Sequence, residues 1–388
     1  MKINNYILYF IVLSYIMLVL YDIIWINIIL IIPLILLICI CINFLYIKPI
    51  ETVESNKEPI NFPHVSVIIP AWNEENIISR SIESVLISTY SNLDIIVVAG
   101  GSDNTFKYAD HFSKIDSRIT VIEQKPLGKS TALNAGLKYV TGEIVIFLDA
   151  DCIVDKNWLK YLVTPIINKE ANITIGNFQP FRVSWVSSWY ILNNIYLKIV
   201  KNKKNFFGGS KAFEKDVFKD INGLNQKAYS DDYYLSTQLD KKYKIEFIKK
   251  SIVQTDIPST LIQYLQVETR WLRNQLHTAF NFNKGRRKLI FNYFNIIAIT
   301  LGLPIITILF ILDIIQYTYL YIWAIYFIFM MLLNISKPIY VYKVTSNKIY
   351  LKYIWVALIF LIIDYILGFY TLITYKKVTL FFKGPRNF

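Results

Sequence analysis

The apolar residues of this 388-residue chain are gathered near its two ends rather than spread along it. Tyr6 to Ile47 and Leu289 to Tyr375 carry most of them, and the polar segment between is long enough to form a globular domain. An apolar content of 54% and a mean hydropathy of +0.40 are high for a water-soluble protein. This clustering points to one architecture, a soluble domain inserted between membrane spans.

The first apolar stretch exceeds the ~7–15 residues of a signal peptide and the ~20 residues of a single span. Asp22 and Asn27 interrupt it, which predicts a hairpin over residues 6–21 and 28–47. A single long tilted helix running into the polar segment is the alternative. Toward the carboxyl end, Leu289–Leu312, Tyr319–Ser336 and Tyr353–Thr374 read as about three further spans. Asp313 closes the first of these and Asp364 sits inside the last. An acid at such depth needs a partner or a wet cavity, most commonly an interhelical hydrogen bond.

Lys and Arg near the spans set orientation. Lys2, Lys48 and the cluster Lys284, Arg286, Arg287 and Lys288 place the central domain on the cytoplasmic side of the plasma membrane. The short loop from Asp313 to Thr318 has neither residue, as an outer loop should, and Lys337, Lys343, Lys348 and Lys352 return inside. Lys376, Lys377, Lys383 and Arg386 run against the rule, so either the last segment is re-entrant or the rule fails there. The net charge of +13 comes without the arginine-rich or aromatic-basic patterns of nucleic-acid binders. Juxtamembrane lysines attracted to anionic membrane lipids account for it, and no nucleic-acid partner is expected. Three scattered histidines and three cysteines, two of them within a span, argue against a His/Cys zinc site and leave oxygen ligands for any metal.

The central segment alternates short β-branched runs with helical stretches. VSVIIP, stopped by Pro70, precedes a helix from about Glu75 to Ser88, and LDIIVV precedes a helix after Asp103. ITVIE is followed by a helix from Lys129 to Tyr139, and EIVIFL ends at Asp149. Continuous apolar strands alternating with helices predict an α/β fold with a mainly parallel sheet covered on both faces. Ligands bind outside the carboxyl ends of such strands. Those ends carry Pro70-Ala71-Trp72-Asn73-Glu74-Glu75, Ala99-Gly100-Gly101-Ser102-Asp103 and Asp149-Ala150-Asp151.

Gly128-Lys129-Ser130-Thr131 imitates the end of an ATP-binding P-loop. That loop needs a glycine five positions before Gly128 so that backbone amides can wrap the phosphates. The position is Glu123, whose carboxylate would repel them. Lys129 is then either a phosphate-side cation of a different kind or an exposed first-turn lysine. Asp149 and Asp151, one residue apart at a strand end, suit a single Mg²⁺ or Mn²⁺ that bridges carboxylates to a diphosphate. A second acidic pair, Asp231-Asp232, opens a helix in YSDDYYLSTQL. Acids in a first turn also stabilise the helix dipole, which is the bland reading of that pair.

VSVIIPAWNEE, DIIVVAGGSDNT, GKSTALNAGL, IFLDADCIV, FFGGSKAF, SDDYYLS and RW occur here in the order seen in family 2 glycosyltransferases. The chain resembles the membrane-integrated branch that includes hyaluronan, cellulose, chitin and poly-N-acetylglucosamine synthases, over roughly Val65 to Trp271. The resemblance implies a GT-A fold, Rossmann-like and cytoplasmic, and a nucleotide-diphosphate sugar donor, UDP-sugar favoured. It implies a glycan or lipid-linked acceptor and a metal-dependent, inverting transfer. Pro70, Ala71, Asn73 and Glu74 match the loop holding the base and ribose, with Ser102, Lys129, Asp149 and Ala150 beside the nucleotide-sugar. Asp151 matches the metal-binding acid, with Asp149 its companion. Phe207, Gly208, Gly209, Ser210 and Asp231 match the acceptor segment, and Asp232 matches the general base. Arg270 matches the diphosphate-binding arginine, and Trp271 the floor of the acceptor site.

Two departures stand out. Ala99-Gly100-Gly101-Ser102 replaces the usual Asp-Asp-Gly-Ser, so the acid that reads the base is missing, and Asp103 lies beyond that position. In the last motif Val267 takes the place of the glutamine of processive synthases. After Pro258, Leu261, Leu265, Leu272, Leu276 and Phe280 recur at near-helical spacing, which predicts either an amphipathic interfacial helix or one packed beneath the catalytic domain. The chain thus divides into a hairpin at 1–50, a GT-A domain at 51–258, an interfacial segment at 259–288 and a membrane region at 289–388.

Overall fold

The computed structural model describes residues 59, 61–196, 208–221, 223–225, 231–239, 242–282, 286–312, 317–345, 347–374 and 376. The expected amino-terminal hairpin, Asp313, Phe207 and the side chain of Asp231 lie outside the described residues.

The four strands expected from sequence form as β1 (Val65–Trp72), β2 (Leu93–Gly100), β3 (Ile119–Glu123) and β4 (Ile144–Leu148). Their connecting helices are α1 (Ile78–Leu86), α2 (Thr105–Ile115) and α3 (Lys129–Leu137). β1 does not stop at Pro70. It continues to Trp72, in parallel register with β2 from Val65↔Leu93 to Trp72↔Gly100. Pairing with β4 ends at Ile68, so one side of β1 is already unpaired at Pro70, and a residue lacking an N–H is tolerated there.

Beyond β4 come β5 (Cys152–Val154), α4 (Trp158–Ile167), β6 (Ile173–Pro180) and α5 (Trp185–Ile195). After the segment at 197–207, β7 (Ser210–Glu214), α6 (Val217–Ile221), α7 (Asp231–Leu239) and β8 (Ile245–Thr255) complete one sheet of eight strands. The order is β3-β2-β1-β4-β7-β6-β8-β5. β7 runs antiparallel to both β4 and β6, and β5 antiparallel to β8, so the sheet is mixed rather than wholly parallel.

Alternation along β1 sends Val65, Val67, Ile69 and Ala71 to one face, where they meet Ile78, Ile82 and Val85 of α1 and Trp158 and Leu162 of α4. Ile68 faces the other way, toward Leu133 of α3, Phe213 of β7 and Leu235 of α7. Both faces are covered, which is why the central strands are apolar without interruption.

The interfacial segment forms α8 (Leu261–Phe282). α9 (Arg286–Ile311), α10 (Tyr317–Thr345), the short α11 (Ile349–Lys352) and α12 (Val356–Thr374) follow. Trp323–Lys343 and Val356–Thr374 are long and apolar enough to cross a membrane. A third cluster joins the sheet to these helices. Phe178 of β6 and Trp189 and Tyr190 of α5 pack with Tyr264 of α8, Val341 of α10 and Phe360 of α12. In α8, Tyr264 and Leu276 are buried while Ile262 is exposed, so the helix packs beneath the domain along this face. Asp364 finds its partner here, because the Tyr264 hydroxyl donates to its Oδ1 at 2.6 Å.

Candidate active site

The carboxyl ends of β1 and β2 are locked together by their own loops. Asn73, at φ 55°, takes the Ser102 N–H on its Oδ1 at 2.8 Å. Gly101, at φ 129°, lies so close that a Cβ there would sit 2.1 Å from the same oxygen. Glu74 is buried, and its N–H donates to Thr105 Oγ1 at 2.7 Å. Asp103 does not reach back to the vacant strand-end position. Its Oδ1 accepts from Thr105 N and Oγ1 at 3.0 and 2.6 Å, and its Oδ2 accepts from Glu75 N at 3.1 Å. The space beside Gly100 is taken instead by Gln124, just past β3, because a Cβ on Gly100 would meet the Gln124 backbone oxygen at 2.6 Å and its Cβ at 3.1 Å. Nothing in the pattern of β3 singles out Gln124.

After β4 the chain turns through Asp149, Ala150 and Asp151 into β5. The Asp149 N–H donates to Gly209 O at 2.8 Å, which fastens this turn to the start of β7. A side chain at Gly209 would strike Cys152 Sγ at 2.3 Å, so only glycine allows this approach. Gly208 holds a φ of 137° beside it. The Ser210 hydroxyl, assigned to the acceptor from sequence, is turned into the core instead. The residue is 1% exposed and its Oγ accepts from Trp158 Nε1 at 2.8 Å.

Lys129 opens α3 and donates from Nζ to Asp149 Oδ1 at 2.6 Å, with the two side chains 25% and 33% exposed. It is therefore not a free surface lysine. Asp151 is buried beside it. Burial raises the Cys152 thiol well above its ordinary range, with Asp151 and Asp149 adding, which leaves it an inert neutral group. Asp232, in the first turn of α7, is 6% exposed and forms an ion pair with Lys211 of β7 at 2.6 Å. Lys211 is invisible to sequence reasoning, since a lone lysine in SKAFE reads as a solvent-facing strand position.

Arg270 and Trp271 lie half-buried on α8. Tyr190 of α5 links them to the acids. Burial raises its hydroxyl far above the ordinary value, Glu268 adds to the shift, Arg270 opposes it, and Asp232 and Asp151 add smaller contributions. This phenol therefore stands within electrostatic range of both acid sites and of α8. Asp151, Asp232 and Arg270, far apart in sequence, all act electrostatically on this one hydroxyl.

Glu268, on the same helix as Arg270, is a perturbed acid. Desolvation, with Asp364 adding and Arg270 opposing, pushes its carboxyl from 4.5 up to about 8. An acid raised by folding holds its proton in the folded chain where the unfolded chain has ionised. Its stabilising share is fully present below the ordinary value and is lost as pH rises toward about 8. The wild-type thermal midpoint is thus expected to fall between pH 5 and pH 8, and Glu268→Gln should flatten that fall in detergent-solubilised protein. An equal fall in both proteins would remove Glu268 as its source.

Could this edge hold a divalent cation? Among the described residues no group of three or more metal-ligating side chains gathers, so a cage made by the protein alone is not present. Mg²⁺ and Mn²⁺ are commonly held by one or two carboxylates, substrate phosphates and water. Asp151, with Asp149 beside it, fits that mode. With Lys129 paired to one Asp149 oxygen, Asp151 is the residue that would serve as principal ligand.

Comparison with known proteins identifies the family. The glycosyl transferase family 2 model matches residues 66–221, and the glycosyl transferase family group 2 model matches residues 144–373, more than half of the chain. The chain belongs to glycosyl transferase family group 2. Glycosyltransferase GlyA of Streptococcus pneumoniae is 33% identical over 145 residues, covering 37% of this chain and 21% of that protein. Probable glycosyltransferase YdaM of Bacillus subtilis is 27% identical over 60% of this chain and 61% of its own. The Escherichia coli protein WfgD, a UDP-Glc:alpha-D-GlcNAc-diphosphoundecaprenol beta-1,3-glucosyltransferase, is 33% identical over 36% of this chain and 55% of its own. The chain thus spans less than two thirds of each of these relatives. Among solved structures, the mannosyltransferase PcManGT of Pyrobaculum calidifontis, in complex with GDP-Man and Mn²⁺, superimposes with a TM-score of 0.51. It is 21% identical and covers 65% of this chain and 72% of that one. The shared fold is GT-A.

Proposed function

We propose that this family group 2 glycosyltransferase is embedded in the plasma membrane and moves a sugar, with inversion, from a nucleotide-diphosphate sugar to a glycan or lipid-linked acceptor. The observation that carries this reading is that Asp151, Asp232 and Arg270, from separate parts of the chain, all bear electrostatically on the buried hydroxyl of Tyr190, whose ring packs with the apolar helices. The donor and acceptor named for WfgD favour a UDP-sugar and a lipid-linked acceptor over a soluble one. Membrane embedding is supported by α12, where Ile359, Ile362, Ile366, Tyr370 and Ile373 form an exposed apolar row at helical spacing. In water such a row would be an association hazard, and acyl chains would cover it.

In the reaction, the acceptor hydroxyl attacks the anomeric carbon as the sugar–phosphate bond breaks, and the bonding electrons leave with the diphosphate. Asp232 takes the hydroxyl proton in the transition state. Arg270 meets the charge growing on the diphosphate. Asp151 and Asp149 would hold the divalent cation, which when bound neutralises part of that charge. Asn73, Glu74, Ser102 and the ends of β1 and β2 cradle base and ribose, with Gln124 beside the position where the usual acid is missing. Trp271, Gly208 and Gly209 border the acceptor.

Lys129 holds Asp149 so that its charge does not oppose the incoming diphosphate. Lys129→Ala is expected to weaken donor affinity on the order of tenfold, as read by calorimetric titration with Mn²⁺ present. Unchanged affinity would make it an ordinary surface cation.

A non-catalytic sugar-binding or scaffold role is favoured by one observation, the Ala99-Gly100 replacement of the base-reading acids. Purified full-length protein, screened against UDP-, GDP- and CDP-sugars with and without Mn²⁺, separates the two. Metal-stimulated release of nucleoside diphosphate supports the enzyme, and binding without turnover across the panel supports the scaffold.

A further inference from the structure

Lys211 has no part in the reaction as described, yet it is 2% exposed in the middle of the sheet. It pairs across β7 and β4 with Phe147, and the next residue on its face, Phe213, packs its ring against Phe147 at 5.0 Å. An ammonium among such neighbours is costly unless a charge answers it. The strand's alternation turns Ser210 toward Trp158 and Lys211 to the opposite face, beneath the first turn of α7. There the answering charge is Asp232, with 2.6 Å between Nζ and Oδ1 and side chains 3% and 8% exposed.

The sheet therefore holds one oxygen of this carboxylate from below. We propose that Lys211 is a positioning residue for Asp232, holding the carboxylate through Oδ1 in the orientation from which it takes the acceptor proton. This rests on the assignment of Asp232 as general base. Lys211 keeps its own protons throughout. The acceptor loses one to Asp232, and the broken sugar–phosphate bond leaves its electron pair on the diphosphate.

The test is a comparison of Lys211→Met, Lys211→Arg, Asp232→Asn and the Lys211→Met/Asp232→Asn double variant in the full chain. The probe is the nucleotide-sugar selected by the donor panel, with Mn²⁺, and the readouts are kcat and donor Kd. Lys211→Met is expected to lower kcat about tenfold or more, within the range of general-base effects, with donor Kd within about twofold of wild type. Lys211→Arg should recover most of that kcat, because a guanidinium also pairs with a carboxylate. The double variant should be no slower than Asp232→Asn alone, since residues acting as a unit are not additive. It also removes both buried charges together, so it keeps the comparison open where the single Met variant does not fold. Wild-type kcat in Lys211→Met, or losses that multiply in the double variant, would overturn the proposal. Full activity in Asp232→Asn would instead refute the base itself, a different and separately visible failure.

Discussion

Asp232→Asn is expected to lower sugar transfer by about 10²–10⁴-fold, the usual contribution of a positioned general base, while donor affinity stays near wild type. The amide keeps the shape of the carboxylate but cannot accept the acceptor proton. In the proposed site the donor contacts lie elsewhere, at the ends of β1 and β2, at Asp151 and on α8. A loss in kcat without a loss in donor binding is therefore the signature of this site. One structural cost accompanies it. Lys211 stays buried with its charge unanswered, and removing one partner of a buried pair typically costs about 3–5 kcal/mol. Activity must accordingly be normalised to folded protein, by nucleotide binding or by thermal midpoint. Transfer at the wild-type rate would move the base to another residue.

The half of the domain that binds nucleotide was legible in the sequence because its strands are buried on both faces. VSVIIP, LDIIVV, ITVIE and EIVIFL leave no polar alternation to mistake, and Gly128 punctuates the entry to α3. The acceptor half was harder to read, for physical reasons that can be named. α5 is buried on nearly every side, wedged between β6 and the membrane helices, so WVSSWYILNNI has no polar face to reveal its period. β7 is antiparallel and central, and the only charge on its sheet-core face, Lys211, is answered from α7 across 21 residues of chain. Spacing rules do not reach such a pair. The same holds for Asp103, which lies beyond the position of the missing acid and is consumed in joining the β1 and β2 loops.

The junction between the domain and the apolar helices carries the link from fold to function. Tyr264 of α8 stacks edge-on against Phe360 of α12 at 4.6 Å and donates to Asp364 of the same helix. Tyr190 packs against Tyr264 at 6.4 Å, and its hydroxyl is acted on electrostatically by Asp232 and Asp151. An aromatic chain of Phe360, Tyr264 and Tyr190 therefore connects α12 to α5 through α8. Trp271 and Arg270 lie on α8, the helix in the middle of that chain.

Asp151→Asn should have the largest effect on metal-dependent donor binding. On the proposed assignment the buried carboxylate would be the principal oxygen ligand for the cation, because Asp149 is shared with Lys129. A divalent ion held by Asp151 would lose that anchor when the carboxylate becomes an amide. Nucleotide-sugar affinity measured with Mn²⁺ is expected to fall on the order of 100-fold, roughly the value of a hydrogen-bonded charge lost from a buried site. Affinity without metal should change little, so the Mn²⁺ dependence itself collapses. Asp149→Asn differs in a way that the Lys129 pair dictates. It frees the ammonium to approach the diphosphate and substitute in part for the cation, so a smaller loss is expected, again read by titration with and without Mn²⁺. If the two variants lost the same affinity, the cation would be shared evenly and the Lys129 pair would have to open on binding. If only Asp149→Asn lost it, the order of the two acids would be reversed.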